Sequence, residues 1–561
     1  MKQVLSILFF LINFVSLSSL ASPVTTKHAM VVTEQYLATQ VGVSILKAGG
    51  NAVDAAVAVG YALAVVNPCC GNLGGGGFMT IHLAKGKDIF LNFRERAPFA
   101  ATPTMFLDAT GHVIADKSTI GYAAAAVPGT VLGLDTALKK YGTMTRQQVM
   151  LPAIHLAEHG YILTAGDIKI LDPQTKYFKL YPNVAKIFLR SNKPYKVGDR
   201  LVQIDLANTL KQISRLGPAV FYRGQIAKEV VDASQAHGGI FTLKDFSDYF
   251  VQEYTPIYCT YRGYQIISAA PPSSGGITLC EMLNILENYP LRTFKFHSAK
   301  SAHYIIEAMR YAFFDRNNLL GDPNFVSNPV DQLISKDYAA NIVRNILDTQ
   351  ATPSIDLEKS KINHEGTNTT HYSIIDSWGN AVSTTVTLNS FFGAKVIAGH
   401  TGFFLNDEMD DFTSQSGTAN KFGLIQGEKN NIQPGKRPLS AMTPTIITRD
   451  NKLVMVVGSP GGPRIITSTL QTILNVLDYH MNIQDAVDAP RFHHQWLPDV
   501  VIVEEPQVFS DETTKELQTM GYHFVTQPKW SAVEAIYIDP MTHLLQGGSD
   551  NRRLAGMAAG Y

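Results

Sequence analysis

The stretch that most constrains this chain runs from residue 368 to residue 389. Its first half, 369–375, is rich in β-branched and aromatic residues, and its second half, 381–389, alternates apolar and polar side chains with a period close to two. The turn signal Asp-Ser-Trp-Gly-Asn separates the two halves. The pattern predicts a β-hairpin whose open end carries Thr369 and Thr387.

A threonine in this position suggests a nucleophile, provided that the chain is cut just before it. A threonine hydroxyl is a weak nucleophile at neutral pH and needs a base within hydrogen-bond reach. A free α-amine has a pKa of about 8, so an N-terminal threonine carries its own base. Our hypothesis is that the Asn368–Thr369 bond is cut. Taken alone, the same residues are typical of an ordinary strand, so the hypothesis depends on the rest of the chain.

Composition limits the class of protein. The chain has 561 residues, 45% hydrophobic and 17% charged, which indicates a globular protein with a large core. Lysine plus arginine equals aspartate plus glutamate at 47 each. This balance argues against a nucleic-acid partner and against a membrane-surface protein, because both need excess positive charge. A small neutral or zwitterionic partner fits better, and no later segment has the apolar length of a stable membrane span.

The N-terminus has the features of a signal peptide. A lysine at position 2 precedes an apolar run over 4–15, and Ser19-Leu20-Ala21 supplies the small residues that signal peptidase prefers. We expect cleavage after Ala21 and export to the periplasm, or secretion beyond it. A membrane anchor is the alternative, but the run is short for a full span.

Export permits disulfides, yet four cysteines are too few for a disulfide framework in so long a chain. Cys69 and Cys70 are adjacent, and adjacent cysteines seldom bond each other. The sequence therefore leaves the pairing of these two with Cys259 and Cys280 open.

Two motifs that could suggest a cofactor or a metal are interpreted as structural. The glycine run 74–77 lies between a helix and a strand, the reverse of a phosphate-binding loop, and no GK[ST] follows it. Close backbone packing explains it better. His493 and His494 are adjacent on a predicted strand, so their side chains point to opposite faces. We expect no cofactor and no metal.

The order of elements indicates a layered fold. A very apolar helix is predicted over 52–66, with Asn51 as its N-cap, and it should pack on a sheet. Residues 130–350 are predicted to be mostly helical, and the chain after Thr369 is rich in strands. Helices outside and strands inside indicate a sheet sandwich flanked by helices. The polar segment 351–367 has the weak periodicity of an exposed linker, where a scissile junction would lie.

Several motifs in this order resemble those of the gamma-glutamyltranspeptidase family, over about residues 28–561. They are NAVDAA at 51–56, GNLGGGG at 71–77, PPSSGG at 271–276, TTHY at 369–372, MDDF at 409–412 and RPLS at 437–440. The resemblance implies an α/β (α+β) fold of the N-terminal-nucleophile hydrolase type, with four layers ordered αββα. It also implies a precursor that cuts itself between Asn368 and Thr369. Its parts would be a signal peptide over 1–21, a large subunit over 22–368 and a small catalytic subunit over 369–561, and the two subunits would pair with each other.

Members of this family take a γ-glutamyl group from glutathione or a related γ-glutamyl amide and pass it to water, an amino acid or a peptide. The resemblance implies the same activity here, through a γ-glutamyl ester on Thr369. Carried over by position, Thr387 would hydrogen-bond the nucleophile, and the backbone N–H groups of Gly461 and Gly462 would form the oxyanion hole. Each such donor typically contributes about 3 kcal/mol to transition-state stabilisation.

The resemblance further implies a pocket for the zwitterionic end of the glutamyl group. Arg94 would pair with the α-carboxylate, because a guanidinium can bind both carboxylate oxygens. Ser440 would donate a hydroxyl to the same carboxylate. Glu408 and Asp411 would face the α-ammonium group, aided by the side-chain carbonyl of Asn389.

Three positions depart from the pattern of many relatives. Ala441 replaces a second serine, so only its backbone N–H can serve the substrate. Phe422 replaces a tyrosine that many bacterial members carry on the lid loop, 413–435. Pro463 replaces a serine after the two glycines, which removes an N–H from that turn. These departures bear on the donor-to-acceptor balance and on lid closure, and they leave the nucleophile untouched.

Other functions fit part of the pattern. A cephalosporin acylase of the same fold would cleave a glutaryl group, which has no ammonium, so Glu408 together with Asp411 favours a glutamyl substrate. A periplasmic binding protein for amino acids or peptides suits the export signal and the charges, but it would keep the chain uncut before Thr369. A serine hydrolase is set aside, because no Gly-x-Ser-x-Gly motif follows a strand.

Overall fold

The computed structural model describes residues 22–354, 369–415 and 417–561. The predicted signal peptide over 1–21, most of the predicted linker and Asn368 lie outside the described residues. Within the described ranges, no helix combines the length and the apolar character that crossing a membrane requires.

The strands of the described chain, in order, are β1 (Val24–Thr26), β2 (Met30–Thr33), β3 (Gly76–Leu83), β4 (Lys87–Phe93), β5 (Tyr161–Ile162), β6 (Arg200–Leu201), β7 (Gln252–Tyr254), β8 (Ile257–Tyr261), β9 (Tyr264–Ser268), β10 (Thr369–Ile375), β11 (Ala381–Thr387), β12 (Thr445–Arg449), β13 (Lys452–Gly458), β14 (Phe492–His493), β15 (Val501–Glu504), β16 (Phe524–Gln527), β17 (Glu534–Ile538), β18 (Leu545–Ser549) and β19 (Met557–Gly560).

The α-helices, in order, are α1 (Tyr36–Lys47), α2 (Ala52–Val66), α3 (Thr130–Tyr141), α4 (Arg146–His159), α5 (Ala165–Leu171), α6 (Thr175–Phe178), α7 (Pro182–Phe188), α8 (Ile204–Leu216), α9 (Ala219–Tyr222), α10 (Gln225–Ala236), α11 (Leu243–Ser247), α12 (Gly275–Leu286), α13 (Ala299–Leu319), α14 (Val330–Leu333), α15 (Lys336–Val343), α16 (Arg464–Leu477), α17 (Ile483–Asp488) and α18 (Asp511–Thr519).

Two seven-stranded sheets form the centre of the molecule. The first has the order β19-β2-β10-β11-β3-β4-β7, and the second has the order β1-β18-β17-β13-β12-β9-β8. Neighbouring strands in both sheets are antiparallel. The sheets pack face to face, with β10 and β11 against β13 and β17. The predicted hairpin is confirmed as β10 and β11, and every residue of both strands is buried.

Helices cover the outer face of each sheet. α1, α2 and α3 pack on the first sheet, and α12, α16 and α17 pack on the second. α2 is buried on all sides, as its alanine- and valine-rich sequence predicts, and Asn51 caps it by accepting the N–H groups of Val53 and Asp54 at 2.9 Å each. The four layers are therefore ordered αββα, as expected.

The region 130–350 contains the predicted helices, but it also contains five short strands that the sequence pattern missed. β8 and β9 extend the edge of the second sheet, and β7 extends the edge of the first. Each of the five has between two and five residues. Such short strands show too little alternation to be recognised from sequence alone.

The glycine run 74–77 serves close packing, as predicted. A Cβ on Gly75 would stand 1.9 Å from the carbonyl oxygen of Thr387, and a Cβ on Gly77 would stand 2.3 Å from that of Thr385. Only glycine allows β3 to approach β11 this closely. The run therefore helps to fix the backbone of Thr387 beside Thr369.

The cysteine pairing that the sequence left open is Cys69 with Cys70 and Cys259 with Cys280. The adjacent pair bonds although such pairs are rare. Cys69 and Cys70 lie in a turn after α2, where neighbouring side chains are not forced to opposite faces as they are on a strand.

His493 and His494 are both buried and hydrogen-bonded within the protein. His493 Nδ1 lies 2.9 Å from Thr467 Oγ1, and its Nε2 lies 3.0 Å from Gln495 Oε1. His494 Nε2 lies 3.2 Å from Asp499 Oδ1. Burial lowers the pKa of His494 to about 4, so the ring is neutral at pH 7. These contacts support the structural interpretation of both histidines.

Candidate active site

The hairpin brings Thr369 and Thr387 together as its first cross-strand pair. Their Oγ1 atoms lie 3.3 Å apart, and both residues are buried. The backbone N–H of Asn389 donates to Thr387 Oγ1 at 2.8 Å. Because that oxygen already accepts a hydrogen bond, the Thr387 hydroxyl proton is free to donate to Thr369.

Gly461 and Gly462 form the turn between β13 and α16. Their φ angles are +127° and +55°, a conformation that glycine adopts without strain. The turn lies at the N-terminus of the 14-residue helix α16, whose dipole favours negative charge there. Gly462 lines the same cavity as Thr369, so the turn has the surroundings that an oxyanion hole requires.

One cavity is lined by nearly all the predicted site residues, which come from both predicted subunits. These are Arg94, Thr369, Thr387, Asn389, Glu408, Asp411, Phe422, Ser440, Ala441 and Gly462. Gly461 does not line this cavity, and a Cβ built on it would lie 2.3 Å from Ser531 Oγ. Below, the cavity is called the glutamyl pocket, after the group that the sequence resemblance implies for it.

Arg94 lies at the centre of a buried charge cluster at one end of this pocket. Its guanidinium donates through Nη1 to Glu408 and through Nη2 to Asp411 Oδ2 at 2.5 Å, and Glu95 lies 3.4 Å from Nη1. Burial lowers the pKa of Arg94, but the carboxylates of Glu408 and Asp411 outweigh that effect and raise the pKa above its ordinary value. The sequence analysis assigned Arg94 to the α-carboxylate of the substrate, and Glu408 and Asp411 to its α-ammonium group. In the structure, Arg94 also forms ion pairs with both of these carboxyl groups.

The carboxyl groups of this cluster are perturbed as well. Burial raises the pKa of Glu408 well above its ordinary value, although Arg94 acts in the opposite direction. Burial likewise raises the pKa of Glu95 to about 7, again against the effect of Arg94. Three carboxyl groups around one guanidinium carry an excess of negative charge, and this excess together with burial favours protonation of a carboxyl group in the cluster.

Asn389 is oriented by its own backbone conformation and by one hydrogen bond. It has a φ of +72°, a left-handed conformation that asparagine tolerates better than most residues. Its Nδ2 donates to the carbonyl oxygen of Asp407 at 3.0 Å. This hydrogen bond fixes the orientation of the side-chain amide. The Oδ1 atom is then able to accept a hydrogen bond from a ligand.

The Ser440 loop is held by the predicted PPSSGG segment. The backbone N–H of Ser440 donates to the carbonyl oxygen of Pro272 at 2.9 Å, and Ser274 Oγ donates to the carbonyl oxygen of Ser440 at 2.7 Å. Ser440 Oγ accepts the N–H of Met442 at 3.1 Å, which leaves the hydroxyl proton able to donate into the pocket. The PPSSGG segment thus fixes the backbone of this loop through Pro272 and Ser274.

Phe422 closes the pocket by packing on the glycine turn. A Cβ on Gly462 would lie 2.7 Å from Cδ1 of the Phe422 ring. The backbone of the lid is fixed at this point, because Asn420 Oδ1 accepts the N–H of Phe422 at 3.0 Å and Gln495 Nε2 donates to its carbonyl oxygen at 3.3 Å. Ring packing and backbone contacts therefore hold this lid without a tyrosine hydroxyl.

The sequence interpretation missed Arg316 and Gln426, which also line the glutamyl pocket. Arg316 Nε donates to Ser274 Oγ at 3.0 Å, and its Nη1 donates to Gln426 Oε1 at 3.2 Å. Burial lowers the pKa of Arg316 to about 10, so it remains a cation at pH 7. One signal was available, because Arg316 follows the apolar residues Ala312 and Phe313 at helical spacing and so shares the buried face of α13.

Comparisons with known proteins point to the same family as the sequence motifs. The Gamma-glutamyltranspeptidase family model matches residues 38–560. The chain is 53% identical over 549 residues to the glutathione hydrolase proenzyme of Pseudomonas sp. (strain A14), covering 96% of this chain and 95% of that protein. It is 45% identical over 543 residues to the glutathione hydrolase proenzyme of Escherichia coli (strain K12), covering 96% of this chain and 93% of that protein.

The fold also matches a solved structure over the whole chain. The crystal structure of cephalosporin acylase from Bacillus halodurans aligns with a TM-score of 0.84 at 28% identity, covering 99% of each chain. The fold is therefore that of the N-terminal-nucleophile hydrolases, as the motifs implied. With the family model matched over nearly the full length and two relatives well above 40% identity, the chain belongs to the gamma-glutamyltranspeptidase family.

Proposed function

We propose that this protein is a gamma-glutamyltransferase and glutathione hydrolase. It takes the γ-glutamyl group from glutathione or another γ-glutamyl compound and passes it to water, an amino acid or a peptide. One observation carries the proposal: the Thr369 and Thr387 hydroxyls line the same buried cavity as Arg94, Glu408 and Asp411. A nucleophile thus lies beside a set of charges suited to a zwitterion.

The proposal includes maturation by cleavage between Asn368 and Thr369. The two subunits would then be 22–368 and 369–561, which remain paired because β10 and β11 lie in the middle of the first sheet, between β2 and β3. The proenzyme names of the relatives support a processed precursor. Export through a signal peptide over 1–21 to the periplasm, or secretion, is part of the same proposal.

The chemical steps follow from the groups around Thr369. Its free α-amine takes the hydroxyl proton as Oγ1 attacks the γ-carbonyl carbon, and Thr387 donates a hydrogen bond to that oxygen. The carbonyl oxygen becomes an oxyanion, which the N–H groups of Gly461 and Gly462 stabilise. The carbon–nitrogen bond then breaks, and the leaving amine takes the proton. Water or an acceptor amine attacks the resulting ester and loses a proton to the α-amine. The α-amine passes that proton to Thr369 Oγ1 as the ester bond breaks, so that the free hydroxyl re-forms.

Recognition of the glutamyl end uses the charge cluster already in place. The α-carboxylate binds Arg94 and Ser440, and the α-ammonium binds Glu408, Asp411 and the Asn389 Oδ1 atom. The substrate brings one charge of each sign, so its entry leaves the net charge of the buried cluster unchanged. Because the ion pairs with Arg94 already hold the side chains in position, little ordering remains for the substrate to accomplish.

A glutaryl acylase activity is the second candidate, and the similarity to the Bacillus halodurans cephalosporin acylase favours it. A glutaryl group lacks the ammonium, so it would leave Glu408 and Asp411 without a cation from the substrate. Glu408, Asp411 and Glu95 would then keep an excess of negative charge around the single Arg94 guanidinium, which is unfavourable in a largely buried site. The glutamyl substrate is therefore preferred.

The test begins with the purified mature protein. Intact mass and N-terminal sequencing should give two chains, one of which begins Thr369-Thr370-His371, whereas a Thr369→Ala variant should remain one chain. The wild type should release p-nitroaniline from L-γ-glutamyl-p-nitroanilide much faster than from the glutaryl analogue. An uncut wild-type chain that still turns over the substrate would contradict the role of Thr369, and faster glutaryl turnover would favour the acylase.

A further inference from the structure

We propose that Lys421 is a positioning residue that fastens the lid loop, 413–435, to the segment after β11 and so keeps Phe422 over the glutamyl pocket. Its ammonium donates to Ser390 Oγ, and Ser390 Oγ in turn donates to Asp407 Oδ2. These three side chains are called the lid latch below. The effect of the latch on catalysis rests on the proposed function, whereas the contacts themselves do not.

The lid has few elements of its own that could fix its position. Over its described residues, 413–415 and 417–435, it forms isolated β-bridges and one three-residue turn of 3-10 helix, Glu428–Asn430, but no α-helix or longer strand. Lys421 is the single charged residue in the stretch 412–427. It directly precedes Phe422, so a bond from its side chain limits where the Phe422 ring can lie. Because Phe422 has no hydroxyl, Lys421 supplies a polar contact that the ring itself cannot make.

The hydrogen bonds of the lid latch are mutually consistent. A hydroxyl has one proton to donate and two lone pairs that accept, whereas an ammonium can only donate. Ser390 Oγ gives its proton to the Asp407 carboxylate, so a lone pair is left for the Lys421 ammonium. The backbone N–H of Ser390 donates to the other carboxylate oxygen, Asp407 Oδ1, at 2.7 Å. Ser390 is therefore held in one orientation, in which its hydroxyl accepts from the lid.

The inner end of the latch is buried and charged. Ser390 and Asp407 are 1% and 0% exposed. Burial raises the pKa of Asp407, and Lys421 and Lys395 act in the opposite direction. The Lys395 ammonium donates to two carbonyl oxygens of its own turn, at positions 391 and 393. Lys421 is thus the lysine that reaches the Asp407 carboxylate through Ser390. A charge-assisted hydrogen bond to a buried group contributes more than an exposed ion pair does.

The latch also ends on the residue that orients Asn389 in the glutamyl pocket. Asn389 Nδ2 donates to the carbonyl oxygen of Asp407 at 3.0 Å, and Asn389 directly precedes Ser390 in the chain. At its other end, Lys421 directly precedes Phe422, which lines the same pocket. The latch therefore joins one wall of the pocket to its cover. A link of this kind retains bound substrate rather than assisting the bond-making step, so its loss should change KM more than kcat.

Hydrogen–deuterium exchange of the purified mature protein tests the latch independently of activity. Lys421→Met keeps most of the side-chain length and removes the ammonium. It leaves in place the backbone N–H of Lys421, which donates to Asp410 Oδ2 at 3.2 Å. In this variant the amides of 417–425 should exchange about tenfold faster than in the wild type, because loss of a charged hydrogen bond makes lid opening more frequent.

Lys515→Met is the matched control for the exchange measurement. Lys515 is an exposed lysine on α18, outside the lid. Its substitution should leave exchange in 417–425 at the wild-type rate. Unchanged lid exchange in Lys421→Met would overturn the proposal.

Initial rates with L-γ-glutamyl-p-nitroanilide test the effect on substrate binding. Lys421→Met should raise KM about fivefold with less than about a twofold change in kcat, and Ser390→Ala should raise KM about threefold. Since both substitutions break the same bond, the double variant should resemble Lys421→Met alone, at about fivefold. A KM that rises about 15-fold in the double variant, the product of the single effects, would show that the two residues act independently and would overturn the latch.

The two measurements separate the latch from the proposed function. If the wild type releases no p-nitroaniline while lid exchange still responds to Lys421→Met, the proposed function fails and the latch stands. If the wild type is active but neither lid exchange nor KM changes in Lys421→Met, the latch fails and the proposed function stands.

Discussion

The Oγ1 atoms of Thr369 and Thr387 lie 3.3 Å apart as the first pair of an antiparallel ladder. The distance is set by main-chain pairing in the middle of a seven-stranded sheet, so it does not depend on a mobile loop. On the far side of β11, the absence of a side chain at Gly75 allows β3 to approach the Thr387 carbonyl. A rigid element of this kind holds Thr369, the proposed nucleophile, in position for attack.

Removing the Thr387 hydroxyl should slow the chemical step. A hydrogen bond to a group that gains charge contributes about 1.5–3 kcal/mol, so Thr387→Ala should lower kcat for L-γ-glutamyl-p-nitroanilide about 10- to 100-fold with little change in KM. Thr387→Ser, which keeps the hydroxyl, is the control and should retain most of the rate. An alanine variant with wild-type kcat would show that the contact has no part in catalysis.

Neutralising Asp411 should weaken substrate recognition strongly. Asp411→Asn removes one carboxylate from the Arg94 cluster and from the site proposed for the α-ammonium, so kcat/KM should fall at least about 30-fold, a loss of about 2 kcal/mol. Its neighbour Asp410 provides the control. Asp410 bonds to Ser118 Oγ at 2.7 Å and lies outside the glutamyl pocket, so Asp410→Asn should change kcat/KM less than about threefold. Equal effects of the two substitutions would argue against the ammonium assignment.

Arg316 should support binding through the residues that it holds. Arg316→Gln loses the charged hydrogen bond to Ser274, which in turn fixes the Ser440 loop. Because hydrogen bonds of charged groups contribute about 1.5–3 kcal/mol, we expect KM to rise about tenfold or more, with a smaller effect on kcat. Arg316→Lys keeps the charge but not the planar fork and should give an intermediate KM. Initial-rate kinetics test this, with circular dichroism to confirm that each variant is folded, and an unchanged KM would refute it.

Adding one methyl group at Gly462, in the turn proposed as the oxyanion hole, should lower the activity strongly. A Cβ at Gly462 would lie 2.7 Å from the Phe422 ring, at a φ of +55° that strains other residues. Gly462→Ala should therefore displace either the lid or the turn and lower kcat at least about 100-fold, as loss of an oxyanion donor typically does. The double variant Gly462→Ala/Phe422→Ala separates the two causes. If the double variant recovers activity, the clash with the Phe422 ring caused the loss. If it stays inactive, the altered glycine turn caused the loss.

Stability should depend on pH through His371. Complete burial lowers the pKa of His371 to about 3 from an ordinary value of 6.5. Between these two values the unfolded chain binds the proton and the folded chain does not, so stability rises as pH rises from about 3 to 6.5. One such group contributes a slope of up to about 1.4 kcal/mol per pH unit.

His371→Gln should remove that contribution. Urea unfolding at several pH values between 4 and 6, in the Thr369→Ala background that we expect to remain one chain, would measure the two slopes. A variant with the same slope as its parent would show that His371 does not titrate in this way. The comparison of slopes is informative even if the substitution lowers stability at every pH.

Local sequence patterns were sufficient for the elements that depend on neighbouring residues. The alanine- and valine-rich run predicted α2 together with its Asn51 cap, and the alternation after residue 381 predicted β11 and its partner. The pairing of Cys69 with Cys70 was left open because it depends on a turn geometry that residue types do not specify. The short strand β7 was missed because three residues carry no readable periodicity.

The residues of the glutamyl pocket were named from motifs, whereas their mutual contacts came only from the tertiary structure. Arg94 and Glu408 are separated by 314 positions in the chain, and no periodicity relates them. They meet because the sheet order places β10 and β11 beside β3 and β4, so that the end of β4 lies next to the segments after β11. The Arg94 ion cluster, the buried Arg316 and the contact of Ser531 with Gly461 have the same origin. Side chains at distant positions in the chain become neighbours only once backbone pairing has fixed the order of the strands, whereas helices and hairpins arise from hydrogen bonds and packing between residues close in sequence.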